Sequence, residues 1–191
     1  HGETIENAKK VLMGHHPGTL SAIGKKQAKA LAKKLSAEEF SAIYCSDLRR
    51  CKDTAKEIIK YHKRVPVIYT KLLREKNLGV FENKPVDQVD FDGLKGTYLT
   101  RKPEGGESHN DVKKRVREFL VLLKKTLPKD AKVLAITHGG VIRAFKHILT
   151  KTEMRGILTQ YGSAKNTGIS EYTIEGRKVI EHRYNDDGHL R

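Results

Sequence analysis

Residues Lys132–Ile142 read KVLAITHGGVI. Val133, Leu134, Ala135 and Ile136 form a short apolar run, which Thr137, His138 and two glycines then break. A run of this length bounded by glycine fits a strand buried on both faces. The chain is expected to leave that strand, expose His138, turn on Gly139–Gly140 and enter a helix at Val141. In open α/β sheets, ligands sit at the carboxyl ends of the strands, where such turns occur. A second histidine–glycine pair, His1–Gly2, opens the sequence, so two such corners are expected to build one site.

Outward from this stretch, apolar periodicity alternates between two kinds. Helical spacing marks Ile23–Leu35, the residues from Leu48 to His62, and Val112–Leu127 up to Pro128. Ser46–Asp47 offers a cap for the second of these helices. Short strands are read at Ser41–Cys45, at Val65–Tyr69 with Pro66 marking an edge, and at Thr167–Ile174 and Lys178–Tyr184 around Glu175–Gly176. Residues 2–20 read as a loop, and Leu72–Pro103 is the least regular region. Strands alternating with helices predict an α/β fold of three layers, with a mostly parallel central sheet and helices on both faces. No linker or repeat divides residues 1–191, which are read as one domain.

The 191 residues carry a net charge of +15, from 38 basic and 23 acidic side chains. Such an excess can serve nucleic acid. Its placement argues otherwise: Lys25, Lys26, Lys29, Lys33 and Lys34 lie opposite the apolar stripe Ala28, Leu31, Ala32 and Leu35, and Lys113, Lys114, Lys124 and Lys125 repeat the pattern in a later helix. Aromatic residues, at 6%, are few for base stacking. No apolar segment is long enough to span a bilayer. Two cysteines, Cys45 and Cys51, match no metal spacing and suit a reducing cytosol, with Cys51 read as a small buried side chain. His15–His16 are adjacent rather than spaced as ligands, so no metal site is expected.

Four clusters carry chemistry: His1-Gly2-Glu3-Thr4 with Asn7, Ser46-Asp47-Leu48-Arg49-Arg50, Leu73-Arg74-Glu75, and Thr137-His138-Gly139. Alone each is weak. In this order they resemble the histidine phosphatase superfamily, also called the phosphoglycerate mutase-like family. HGETIEN resembles the family's opening from its histidine onward, and LSAIGKKQA (Leu20–Ala28) resembles Leu-Ser-x-x-Gly-x-x-Gln-Ala. SDLRRCKDTA (Ser46–Ala55) resembles Ser-x-Leu-x-Arg-Ala-x-x-Thr-Ala, with Cys51 replacing the first alanine. Leu73–Gly79 resembles the Leu-x-Glu segment, PEGGES (Pro103–Ser108) resembles Pro-x-Gly-Glu-Ser with one extra glycine, and Asn166-Thr167-Gly168 resembles a late asparagine motif.

The resemblance implies a metal-independent phosphatase without a cofactor, acting on small phosphorylated metabolites such as sugar phosphates, cytoplasmic, and a monomer or homodimer. It implies His1 as the nucleophile, Arg50 as the clamp on the phosphoryl oxygens, and His138 facing His1 and donating to the same phosphate. Asn7 and Gly139 are implied as further phosphate-binding positions. Glu75 is implied to protonate the leaving oxygen and then to activate water, so it must be protonated in one half-reaction and ionised in the other. The family also has a strand ending in arginine before its histidine, which is expected in the intact gene product; the C-terminal end reads as complete. Pro103 follows Glu75 by 28 residues, short against the long insertion that the resemblance implies for mutases. That favours a phosphatase, similar to the fructose-2,6-bisphosphatase-type and broad-specificity branch. Asn83 stands where many relatives have glycine. Lys76, Lys84, Lys95, Arg101 and Lys102 are candidates for a second anion. Within the resemblance the alternatives are a cofactor-dependent phosphoglycerate mutase and an alpha-ribazole phosphatase. Outside it they are a non-catalytic phosphate-binding relative and a nucleic-acid-binding protein, the last marked by a steep salt dependence of affinity.

Overall fold

The computed structural model describes all 191 residues. A one-turn helix, α1 (Ile5–Ala8), interrupts the opening loop because Thr4 and Asn7 form a capping box. Helix α2 (Ala22–Leu35) follows, with Ser21 Oγ accepting from Gly24 N at 3.0 Å. Strand β1 (Ala42–Ser46) leads to α3 (Arg49–Ile59), and β2 (Val67–Thr70) leads into the irregular region. Then come α4 (His109–Thr126), capped by a Ser108–Asp111 box, β3 (Val133–Ile136), α5 (Gly139–Thr150) and α6 (Met154–Tyr161). Strands β4 (Ile169–Glu175) and β5 (Lys178–Asp186) close the chain as a hairpin.

The sheet order is β2-β1-β3, all parallel, while β4-β5 pair antiparallel as a separate ribbon. All five residues of β1 are buried, and their alternation sorts the two faces. Ile43 and Cys45 join Leu31, Leu35, Ala55 and Ile58 from α2 and α3. Ala42 and Tyr44 join Val112, Val116 and Phe119 of α4 and Val141 and Ala144 of α5. The three-layer α/β arrangement is therefore the observed one.

Several local expectations change. The fully buried middle strand is β1; β3 flanks it, and Val133–Ala135 are half-buried. The second helix has Leu48 at its N-cap with no side-chain cap, because Ser46 and Asp47 are committed elsewhere. Gly139 and Gly140 begin α5 rather than forming a turn before it. Helix α6 was not read from the sequence: Met154, Ile157, Leu158 and Tyr161 follow helical spacing, but its eight residues hold Gly156 and end at Gly162. The five lysines of α2 point outward as expected, whereas Lys113 is buried. Asn83 has φ 62°, a left-handed conformation that glycine and asparagine tolerate best, which accounts for that exchange.

Candidate active site

The carboxyl ends of β1 and β3 and the turn after β2 bring four of the predicted residues to one place. His138 is the N-cap of α5, directly after β3. Arg50 lies in the first turn of α3, after β1. Glu75 follows the turn at the end of β2. His1 sits opposite, its ring 5.1 Å from that of His138 at 58°.

His1 is fixed from both sides. Its carbonyl accepts from Thr167 N at 2.9 Å and from Asn166 Nδ2 at 3.4 Å, which is what the late asparagine segment does here. Gly2 N donates to Thr54 Oγ1, whose hydroxyl donates to the Arg50 carbonyl at 2.8 Å. A Cβ on Gly2 would meet the Gly24 backbone and one on Gly24 the Glu3 backbone, so both glycines permit the opening segment to lie against α2. The His1 Nδ1 lies 2.9 Å from the Gly2 carbonyl. A carbonyl only accepts, so Nδ1 carries the proton and Nε2 keeps its lone pair.

Arg50 is 1% exposed. Its Nε donates to His138 Nδ1 at 3.1 Å, and its two terminal nitrogens donate to the carbonyls of His16 at 2.6 Å and Gly14 at 2.8 Å. Three of five N–H groups are thus committed, which leaves one on each terminal nitrogen. Burial pulls the guanidinium below the ordinary arginine range, and the negative side chains around it oppose that shift.

His138 accepts at Nδ1, so its proton is on Nε2, which donates to Ser46 Oγ at 2.8 Å. Burial first, and the Arg50 charge second, hold its pKa well below the usual value. It is a neutral imidazole, 1% exposed rather than exposed as the sequence suggested, and with both nitrogens engaged by protein it has no free N–H for the phosphate contact that the resemblance implied. Cys51 Sγ approaches the same ring at 3.4 Å, and burial pushes this thiol up to about 11.

The Glu75 carboxylate accepts from Gly140 N at 3.1 Å and from Lys76 N at 2.8 Å. A Cβ on Gly140 would collide with Glu75 Oε1, so this second glycine, rather than Gly139, makes the close approach. Gly139 packs beside Ala164. The Glu75 carbonyl accepts from His15 Nε2 and Arg115, and Arg115 also holds the carbonyls of Leu72 and Arg74 and pairs with Glu107 at 2.7 Å. Arg74 grips Asp47 through two bonds of 2.6 Å, tying the β1 and β2 ends together, and this contact holds the Asp47 carboxyl below its usual range.

Asn7 is the predicted residue placed differently from a simple donor: its Oδ1 accepts from Thr4 N at 3.1 Å as a helix cap. Ser46, Thr54, Gly140 and Arg115 are site residues that sequence reasoning gave no part in the chemistry, Ser46 being read as a helix cap and Gly140 as a turn. The first, second and third stood inside quoted motifs; Arg115 carried no local signal, being one basic residue in a lysine-rich helix.

The sequence pattern of the histidine phosphatase superfamily (branch 1) matches residues 1–187. A metal-independent phosphoserine phosphatase of Arabidopsis thaliana is 31% identical over all of this chain and 80% of its own length. A broad-specificity phosphatase of Saccharomyces cerevisiae is 31% identical over all of this chain and 84% of its own. Among solved structures, Bacillus stearothermophilus YhfR superposes with a TM-score of 0.88 at 27% identity, over 100% of this chain and 96% of that one. A mycobacterial glucosyl-3-phosphoglycerate phosphatase complexed with VO3 gives 0.84 at 29% identity, over 97% and 95%. No helix is long and apolar enough to cross a membrane. A family pattern that runs through nearly the whole chain, on a fold shared with these enzymes, means that the chain belongs to the histidine phosphatase superfamily and is a phosphomonoester hydrolase.

Proposed function

We propose that this phosphatase works through a phosphohistidine on His1. The observation that carries the reading is the tautomer: Nδ1–H donates to the Gly2 carbonyl at 2.9 Å, which leaves Nε2 as an available nucleophile. In the first half-reaction Nε2 bonds to phosphorus, the ester P–O bond breaks, and Glu75 gives its proton to the leaving oxygen. In the second, the Glu75 carboxylate takes a proton from water, the water oxygen bonds to phosphorus, and the N–P bond breaks to release phosphate. Arg50 holds the phosphoryl oxygens with its two uncommitted N–H groups, a positive field preorganised by burial. His138, neutral and held by Arg50 and Ser46, supports the guanidinium and packs beside the nucleophile. Asn7 offers its side-chain NH2 group, and the N-terminal turn of α5 at Gly139 adds its dipole. The scheme requires no metal and no cofactor.

The short run from Glu75 to Pro103 supports hydrolysis over transfer. Its ends are tied by Val80 N to the Glu104 carbonyl at 3.0 Å and Glu107 N to the Asn77 carbonyl at 2.9 Å, so it forms a small lobe. The substrates fitting this reading are small phosphorylated metabolites. A reducing cytosol suits the two free cysteines, and a monomer or homodimer completes the proposal. The test is phosphate release from p-nitrophenyl phosphate in EDTA by the wild type, His1→Ala and Glu75→Gln. Turnover abolished by the first and slowed by about 10²-fold or more by the second is expected. Turnover surviving His1→Ala would overturn the assignment.

A further inference from the structure

Thr167 is 2% exposed and has φ 58°. A β-branched residue in this left-handed region is strained, and such strain persists only where the surrounding structure imposes it. The conformation directs the Thr167 N–H at the His1 carbonyl, to which it donates at 2.9 Å. At the other edge of the same peptide unit, Gly2 N donates to Thr54 Oγ1 at 3.0 Å. Two threonines therefore clamp the His1–Gly2 peptide plane. That plane fixes where the His1 side chain starts, so rotating it would swing Nε2.

The turn that carries Thr167 is held by the segment Asn185–His189. Lys165 N donates to Asn185 Oδ1 at 2.8 Å, and Lys165 Nζ pairs with Asp187 at 2.8 Å. His189 Nε2 lies 3.1 Å from Thr167 Oγ1. The chemistry of the neighbours assigns the donor. The Thr167 hydroxyl donates to the Asn166 carbonyl at 2.7 Å, so Oγ1 accepts from the His189 Nε2–H. His189 Nδ1 is buried without a partner, which fits a bare nitrogen on a neutral ring better than a second, orphaned N–H. Burial also lowers the His189 pKa from its ordinary value.

We propose that His189 is a positioning residue for His1: by donating to Thr167 Oγ1 it holds the strained turn whose N–H fixes the His1–Gly2 peptide, and so aims the nucleophilic Nε2. His189 touches no reacting atom. Without its donor, Thr167 loses a restraint on its left-handed conformation, and relaxation turns the Thr167 N–H away from the His1 carbonyl. The His1 ring then samples more directions and meets phosphorus in line less often. Arg50 is untouched, so binding survives while transfer to His1 slows. This inference rests on the phosphohistidine reading above.

The test measures kcat and KM on p-nitrophenyl phosphate, with melting temperatures, in variants of His189 and Thr167. In His189→Ala, kcat should fall about tenfold, the loss of one positioning hydrogen bond, with KM nearly unchanged. His189→Gln, whose amide N–H reaches the same place, should recover most of that loss. Thr167→Val keeps the branched shape without the hydroxyl and should match His189→Ala. Glycine takes the left-handed conformation without strain, so in a Thr167→Gly background His189→Ala should cost nothing further. If His189→Ala fails to fold, Thr167→Val and His189→Gln carry the comparison. Wild-type kcat in folded His189→Ala or Thr167→Val, a loss seen in KM alone, a loss that His189→Gln does not recover, or an equal loss in the Thr167→Gly background overturns the proposal. His1→Ala separates the two claims. If turnover needs His1 but ignores His189, only the positioning role fails. If turnover survives His1→Ala, the phosphohistidine reading fails and the positioning role with it.

Discussion

The Nε–H of Arg50 donates to Nδ1 of His138 at 3.1 Å, and this contact sets the chemistry of both residues. It places the imidazole proton on Nε2, aims it at Ser46 Oγ, and keeps His138 neutral beside a buried cation. The guanidinium is in turn held so that only its terminal nitrogens have N–H groups to spare. Ser46, Arg50 and His138 therefore act as one unit.

Removing the hydroxyl in Ser46→Ala should leave the His138 Nε2–H without its acceptor in a fully buried setting. A loss of about 1–3 kcal/mol is expected for such an orphaned donor. Cys51 Sγ, 3.4 Å from Nε2, takes part of the load and places the effect toward the lower end. Urea unfolding of the variant checks this, and an unchanged midpoint would refute the Nε2-protonated tautomer.

Acid should destabilise the fold earlier than carboxylate titration alone would. His138 and His109 are both buried, and each has a folded pKa below the ordinary histidine value, burial being the largest cause. The unfolded chain binds these protons first, so the stability they support is whole above about pH 6.5 and is lost as pH falls toward the folded values. Two such groups give a slope of about 2–3 kcal/mol per pH unit below that point. Asp47, held low by its hydrogen bonds from Arg74, adds its loss only below about pH 4. Unfolding free energies between about pH 7.5 and pH 5.5 measure the slope, and His109→Gln should cut it by about half. A flat profile across that window would contradict the buried neutral histidines.

Gly140→Ala should disable catalysis without unfolding the protein. The added methyl collides with Glu75 Oε1, a side-chain atom that can move away, so the carboxylate is displaced rather than the helix. Because a positioned general acid contributes about 10²–10⁴-fold, kcat on p-nitrophenyl phosphate should drop by about 10²-fold. A melting temperature near that of the wild type distinguishes this from global damage. Full activity would mean that the Glu75–Gly140 contact is dispensable.

Arg115→Ala should weaken both stability and turnover. The guanidinium binds three loop carbonyls, of Leu72, Arg74 and Glu75, and pairs with Glu107. Hydrogen bonds from a charged donor support an expected loss of about 2–3 kcal/mol. The loop that carries Glu75 then loses its hydrogen-bonded anchor on α4 and keeps only the packing of Leu73, so kcat should fall more than KM rises. Activity equal to wild type in a destabilised variant would make Arg115 purely structural.

The sequence by itself determined most of the order of elements and four of the residues brought together at the site. The apolar run Val133–Ile136 before His138-Gly139, the helical stripe of α2 and the Ser108–Asp111 start of α4 are local patterns, fixed by backbone period and capping. His1, Arg50, Glu75 and His138 were legible because each lies in a short motif, the last three after a strand end. What those side chains do to one another was not, since it depends on contacts between residues far apart in the chain. Arg50 meets His138 across 88 positions, and Gly140 meets Glu75 across 65. The tautomer of each histidine, the use of Asn7 as a cap, and the hold of Arg115 on the loop that carries Glu75 were all decided when the layers packed. Burial removes water as a partner, so only the tertiary structure determines which polar group must satisfy which.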